Sequence, residues 1–210
     1  MRRPLLMAVL FASSGCSLLP SRQPAKADFD FGPLTAQGAY AANLSEADIV
    51  VHEIKAPPFM DNSSMYYRLA YRNAANPMSY AQSEWVMSPA ALLTQRLRAR
   101  LASAGGGEVR RVGVHAPALY ALRSELVEFD QIFDDPSRSR GVLRLRATLE
   151  GDGVWMQRSF AVEKAAPTAD AAGGVSALTQ CSDELASLIS EWVVASRSRS
   201  REAASARREP

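Results

Sequence analysis

Residues 142–149 alternate without a break, and this constrains the fold more than any other stretch of the chain. Leu143, Leu145, Ala147 and Leu149 fall on one side, and Arg144, Arg146 and Thr148 on the other. A period of two marks a strand with one buried and one wet face. Glu150-Gly151-Asp152-Gly153 supplies turn residues, and 154–162 returns as a partner strand, so a β-hairpin is expected. Such a sheet needs a cover for its dry face.

Two helices supply that cover. Ser88-Pro89 opens the first, since Ser caps and Pro fits the first helical position. Leu93, Leu97 and Leu101 recur every fourth residue and form its apolar stripe. Arg96, Arg98 and Arg100 are expected to point elsewhere, and Gly105-Gly106-Gly107 to stop the helix. The second helix spans 174–195, with Leu178, Cys181, Leu185, Leu188, Ile189 and Trp192 on one face.

Further strands are expected at 29–32, 49–54, 65–72, 78–85, 109–114 and 122–133. In 65–72, Tyr67, Leu69 and Tyr71 share a face; in 122–133, Val127, Phe129 and Phe133 do. Residues 134–140 read as a loop. The expected fold class is α+β: a single domain, a mostly antiparallel mixed sheet, and two main helices packed on one face.

The amino terminus carries an address. Arg2 and Arg3 precede an apolar run at 5–11, then Ser13-Ser14-Gly15-Cys16. The run is too short to cross a bilayer, which takes roughly 20 apolar residues. The layout is that of a bacterial lipoprotein signal, cut before Cys16 and lipidated on it. Ser13 stands where such signals usually have Leu, so a plain secretory signal is the competing reading. Ser17, in place of Asp, points to the outer membrane. Stable anchoring takes more than one acyl chain, which a di- or triacylated cysteine provides.

The expected organisation is a signal at 1–15, a lipidated tether at 16–27, a domain at 28–196 and a disordered Arg-rich tail at 197–210. Binding of the tail to anionic head groups is the competing role, at about 1 kcal/mol per basic residue.

The chain has 24 Lys+Arg against 22 Asp+Glu, and losing Arg2 and Arg3 with the signal leaves 22 of each. The mature chain is formally neutral, which argues against nucleic acid. Once Cys16 is acylated, Cys181 has no intramolecular partner and reads as a small buried hydrophobe, with a reactive thiol as the minority reading.

The sequence lacks a GxxxxGK loop, a GxGxxG turn, an HExxH helix and a GxSxG elbow. His52 and His115 are the only histidines, and neither has a partner at metal-ligand spacing. The Asp134-Asp135 pair reads as turn chemistry. No catalytic residue, metal or cofactor is therefore expected. Tyr66, Tyr67, Tyr71, Tyr80 and Trp85 cluster with Arg68 and Arg72. Core packing and cross-strand pairing account for most of this, and Tyr66, Arg68, Tyr80 and Trp85 are candidates for a partner surface.

In order, Ala56-Pro57-Pro58-Phe59-Met60-Asp61, Met65-Tyr66-Tyr67-Arg68, Tyr80 with Glu84-Trp85, and Ser88-Pro89-Ala90 resemble the signature of the ABC-type transport auxiliary lipoproteins. Glu128-Phe129-Asp130-Gln131, Arg146-Ala147-Thr148-Leu149, and Ala177-Leu178 with Trp192-Val193 extend the likeness over roughly 28–195. The resemblance implies a compact domain of an outer-membrane lipoprotein. Its partner would be the MCE-type substrate-binding subunit of an inner-membrane ABC transporter. Such systems move phospholipid or other hydrophobic molecules between the membranes, with the ATPase on a separate chain. Ring-like homo-oligomers are also implied. A structural envelope-assembly lipoprotein without a transport role is the alternative; an envelope hydrolase lacks a nucleophile–base pair.

Overall fold

The computed structural model describes residues 25–34, 49–105, 120–151 and 154–206. Cys16 and its signal, most of the tether and the strand expected at 109–114 lie outside the described residues.

Among the described residues seven strands form one mixed sheet: β1 (Ala27–Phe29), β2 (Ile49–Val51), β3 (Ser64–Leu69), β4 (Met78–Trp85), β5 (Tyr120–Asp135), β6 (Arg138–Gly151) and β7 (Val154–Ala165). The order is β1-β4-β3-β5-β6-β7, with β2 also beside β5. The long pairings β5–β6 and β6–β7 are antiparallel, as is β3–β4. The short ones, β1–β4, β2–β5 and β3–β5, are parallel. Among the described residues three α-helices complete the domain: α1 (Ala70–Asn73), α2 (Pro89–Gly105) and α3 (Ala171–Ala206). The expected α+β domain is what forms.

The hairpin expected from the alternation is β6–β7. Leu143, Leu145, Ala147 and Leu149 are buried, and Arg144 and Arg146 are exposed. Gly151 takes a φ of 135°, a conformation that glycine adopts at little cost. Leu93, Leu97 and Leu101 of α2 are buried, as are Leu178, Cys181, Leu185, Ile189 and Trp192 of α3. Helix α3 lies so close to β6 that a Cβ on Gly141 would stand 2.9 Å from the Leu178 nitrogen.

Five local expectations need correction. Strand β5 carries a bulge between Leu126 and Glu128. The extra residue, Val127, is 52% exposed, so it does not share a face with buried Phe129 and Phe133. Residues 134–140 are not a loop: β5 and β6 run on to a tight turn that Asp135 organises, its Oδ1 accepting from the Ser137 N–H at 2.8 Å. Strand β3 ends at Leu69 and the chain coils into α1, which leaves Tyr71 exposed. Asn73 closes that coil, its Oδ1 accepting from the Ala75 N–H at 3.0 Å.

Arg96 and Arg100 do not point away from the core. They are 6% and 7% exposed, and Arg96 Nη1 lies 3.3 Å from Asp183 Oδ1 on α3. Finally, α3 extends to Ala206, so the stretch expected to be disordered from 197 begins as helix. Arg197 is buried with its guanidinium carbon 5.3 Å from the centre of the Tyr120 ring. The Arg-rich stretch lacks periodicity, but its first arginine still finds an aromatic face. At its other end α3 is capped by Asp170, whose Oδ1 accepts from the Gly173 N–H at 2.8 Å.

Candidate functional site

The four candidate surface residues do not converge. Trp85 is 1% exposed and packs edge-on against Phe31 and Phe129, each at 5.6 Å, so it belongs to the core. Tyr80 stacks on Tyr67 at 4.7 Å and donates its hydroxyl to Gln131 Oε1 at 2.9 Å. Burial, and then the neighbouring Tyr67, push its phenol well above the usual tyrosine range. Gln131 in turn donates to Ser139 Oγ at 2.8 Å and the Asp170 carbonyl at 3.0 Å, fastening the start of α3 to the sheet.

Tyr66 and Arg68 lie two apart on β3 and share the sheet's other face. Arg68 Nε donates to Asp130 Oδ2 at 2.6 Å and its Nη1 to the Ala74 carbonyl at 3.1 Å, which holds α1 against β5. Tyr66 donates to the Phe59 carbonyl at 2.8 Å, and the two rings meet edge-on at 6.2 Å. Phe59 is half exposed. Tyr66 thus touches an exposed apolar residue.

That face is buried at Asp130, Ile132 and Val142, and beyond them the described residues leave much of it exposed. Arg123, Glu125 and Val127 of β5, Arg144 and Arg146 of β6, and Trp155, Gln157 and Glu163 of β7 are exposed along it. Cross-strand ion pairs lace it: Arg144 to Glu128 at 3.2 Å, Arg140 to Glu163 at 3.0 Å and Arg146 to Glu125 at 3.8 Å. Exposed pairs like these are worth 0 to about 1 kcal/mol each and leave the face near neutral.

A second feature was not legible in the sequence. A cleft of about 970 Å³ opens between β2 with its continuation to Ala56, the first half of α2, and β5. Arg98 crosses it to donate to the Val51 carbonyl, from Nη2 at 2.9 Å and Nε at 3.3 Å. Arg123 Nη1 stands 3.4 Å from His52 Nδ1. Arginine only donates, so Nδ1 accepts and the proton sits on Nε2. Burial, and then the Arg123 charge, lower the His52 pKa and keep the ring neutral. The cleft residues come from three distant segments with no shared motif, so only folding brings them together.

The buried Cys181 thiol is pushed up to about 12, chiefly by burial, and lies 3.5 Å from the Gly141 carbonyl. It is neutral at any physiological pH, which suits packing rather than nucleophilic chemistry. Among the described residues no group of three or more His, Cys, Asp and Glu is placed to hold a metal, and no helix is long and apolar enough to cross a membrane.

A helix-backed sheet with a charge-laced outer face and a polar cleft defines a class: a small α+β domain. Its family is specific. The family model for the ABC-type transport auxiliary lipoprotein component matches residues 31–190, and the chain belongs to that family. The chain is thus a lipoprotein-family component auxiliary to ABC-type transport.

Solved structures share the fold. A crystal structure of a Xanthomonas campestris protein aligns with a TM-score of 0.68 at 13% identity, over 85% of this chain and 96% of that one. A second, described as an uncharacterized protein, aligns with a TM-score of 0.65 at 16% identity, over 80% of this chain and 99% of that one. No curated protein matches the chain in sequence.

Proposed function

We propose that this chain is a non-enzymatic outer-membrane lipoprotein of an ABC/MCE-type system that moves phospholipid or other hydrophobic molecules between the inner and outer membranes. It is anchored through lipids on Cys16, with residues 16–27 as the tether. It docks the MCE-type substrate-binding subunit of the transporter and works as a homo-oligomer. The family match over 31–190 carries this reading, and the lipoprotein-type amino terminus supports it. The surface offered to the partner is the outer sheet face around Phe59, Tyr66 and Val127, where exposed apolar groups stand among arginines.

Crosslinking in cells tests the partner. It is expected to trap the protein with an MCE-type subunit, and loss of the protein to raise envelope permeability. No trapped subunit together with unchanged permeability and lipid asymmetry refutes the transport role and favours structural assembly. Cys16→Ala tests the anchor, with loss of a metabolic fatty-acid label expected and equal labelling refuting it.

A further inference from the structure

The cleft beside β2 has a charge pattern that selects a ligand. Two of its cations lack a carboxylate partner among the described residues. Lys55 is exposed and forms no ion pair there, and Arg98 spends two N–H groups on the Val51 carbonyl and forms none either. Anchoring on that carbonyl fixes the guanidinium in place at no cost to its charge. Arg123, whose Nε also pairs with Glu150 Oε2 at 3.4 Å, adds a third cation, and neutral His52 offers an Nε2–H donor. Two carboxylates on the same wall, Glu53 and Asp61, also form no ion pair with a described residue. Glu125 leans instead toward Arg146 on the outer face, at 3.8 Å.

The two signs exclude the simplest occupants. A polyanion meets Glu53 and Asp61; a bare cation meets Lys55, Arg98 and Arg123. A molecule with one anion and one ammonium a few bonds apart satisfies both sets. The volume of about 970 Å³ is far larger than such a group alone and sits at the top of the range for small-molecule sites. Ile54, Ala56, Ala90 and Ala91 contribute apolar lining for whatever is attached.

We propose that this cleft binds a zwitterion, a phosphate joined to a primary ammonium, with the phosphate held by Lys55, Arg98 and Arg123 and the ammonium by Glu53 and Asp61. The same chemistry occurs in a free phosphoamine and in the head group of a zwitterionic phospholipid. The site depends on the folded domain alone, so its failure and the failure of the transport role are read by different experiments.

The test uses the full-length protein in an uncharged detergent, titrated calorimetrically with O-phosphoethanolamine, inorganic phosphate and ethanolamine. O-Phosphoethanolamine is expected to saturate one site, and each half-ligand to bind at least about tenfold more weakly. Lys55→Ala and Glu53→Gln remove exposed side chains without ion pairs, so the fold survives both. Lys55→Ala is expected to weaken O-phosphoethanolamine and phosphate alike while leaving ethanolamine unchanged. Glu53→Gln is expected to weaken O-phosphoethanolamine and ethanolamine while leaving phosphate unchanged or tighter. Phosphate binding as tightly as O-phosphoethanolamine overturns the proposal. So does binding that both variants leave intact, or the absence of a saturable site. A parallel titration with dihexanoyl phosphatidylethanolamine separates the sources. Binding at least about tenfold tighter than the head group alone assigns the site to lipid, and equal binding assigns it to a free phosphoamine.

Discussion

Replacing Arg96 with methionine tests how much of the domain hangs on one buried charge. Arg96 donates to the Phe31 and Gly32 carbonyls and faces Asp183, so it ties the segment after β1 to both long helices. Arg96 and Asp183 side chains are 5% and 9% exposed. Breaking such a pair leaves a buried charge and costs about 3–5 kcal/mol. In a domain of this size each kcal/mol moves the midpoint by roughly 2–4 °C, so Arg96→Met is expected to lower Tm by about 10 °C.

The loss depends on pH. Burial already raises the Asp183 pKa, against the pull of Arg96 and Arg100. A carboxyl whose folded pKa lies above its unfolded value contributes most below the unfolded value. That contribution is lost as pH rises through the folded one. Removing Arg96 takes away a lowering influence, so the folded pKa climbs further. The variant is therefore expected to lose more stability at pH 8 than at pH 5, by differential scanning calorimetry at both. An equal loss at the two pH values, or a fall of under about 1 kcal/mol at pH 8, refutes a buried, functioning pair.

Three further outcomes follow from the packing. Gly141→Ala puts a methyl 2.9 Å from the Leu178 nitrogen and 3.0 Å from the Ala177 carbonyl carbon, both backbone; a loss of about 1–3 kcal/mol by urea unfolding is expected, and a neutral result refutes the close approach of α3. Leu126→Ala is expected to cost about 2–5 kcal/mol and Val127→Ala within about 0.5, because the bulge turns the second outward; comparable losses refute the bulge. Cys181, buried and with its thiol near 12, is expected to stay unalkylated in native protein at pH 8 and to react once unfolded; native labelling refutes the burial.

The elements that carry a strong period are legible from residue order alone. Residues 142–149 read as a half-buried strand because every second side chain is apolar, and the leucines of α2 and α3 because they repeat at three and four. The same periods set the α+β class. What they missed shares one cause. A bulge, a buried arginine and a cleft each depend on what lies across the sheet or the next helix, and no local pattern encodes that.

Val127 breaks its strand's alternation only because β6 pairs on either side of it. Arg96 is polar in every local reading and enters the core only because Asp183 and two carbonyls meet it there. Trp85 reads as a surface candidate from its aromatic and arginine neighbours in sequence, and packing gives it to the core beside Phe31 and Phe129. Lys55, Arg98 and Arg123 are unremarkable surface charges along the chain; the parallel pairing of β2 with β5, with α2 laid alongside, is what makes them face one space. Periodicity reports which side of an element is dry. Which charged groups share that dry side is settled by packing across the domain, because it depends on the partner each one finds.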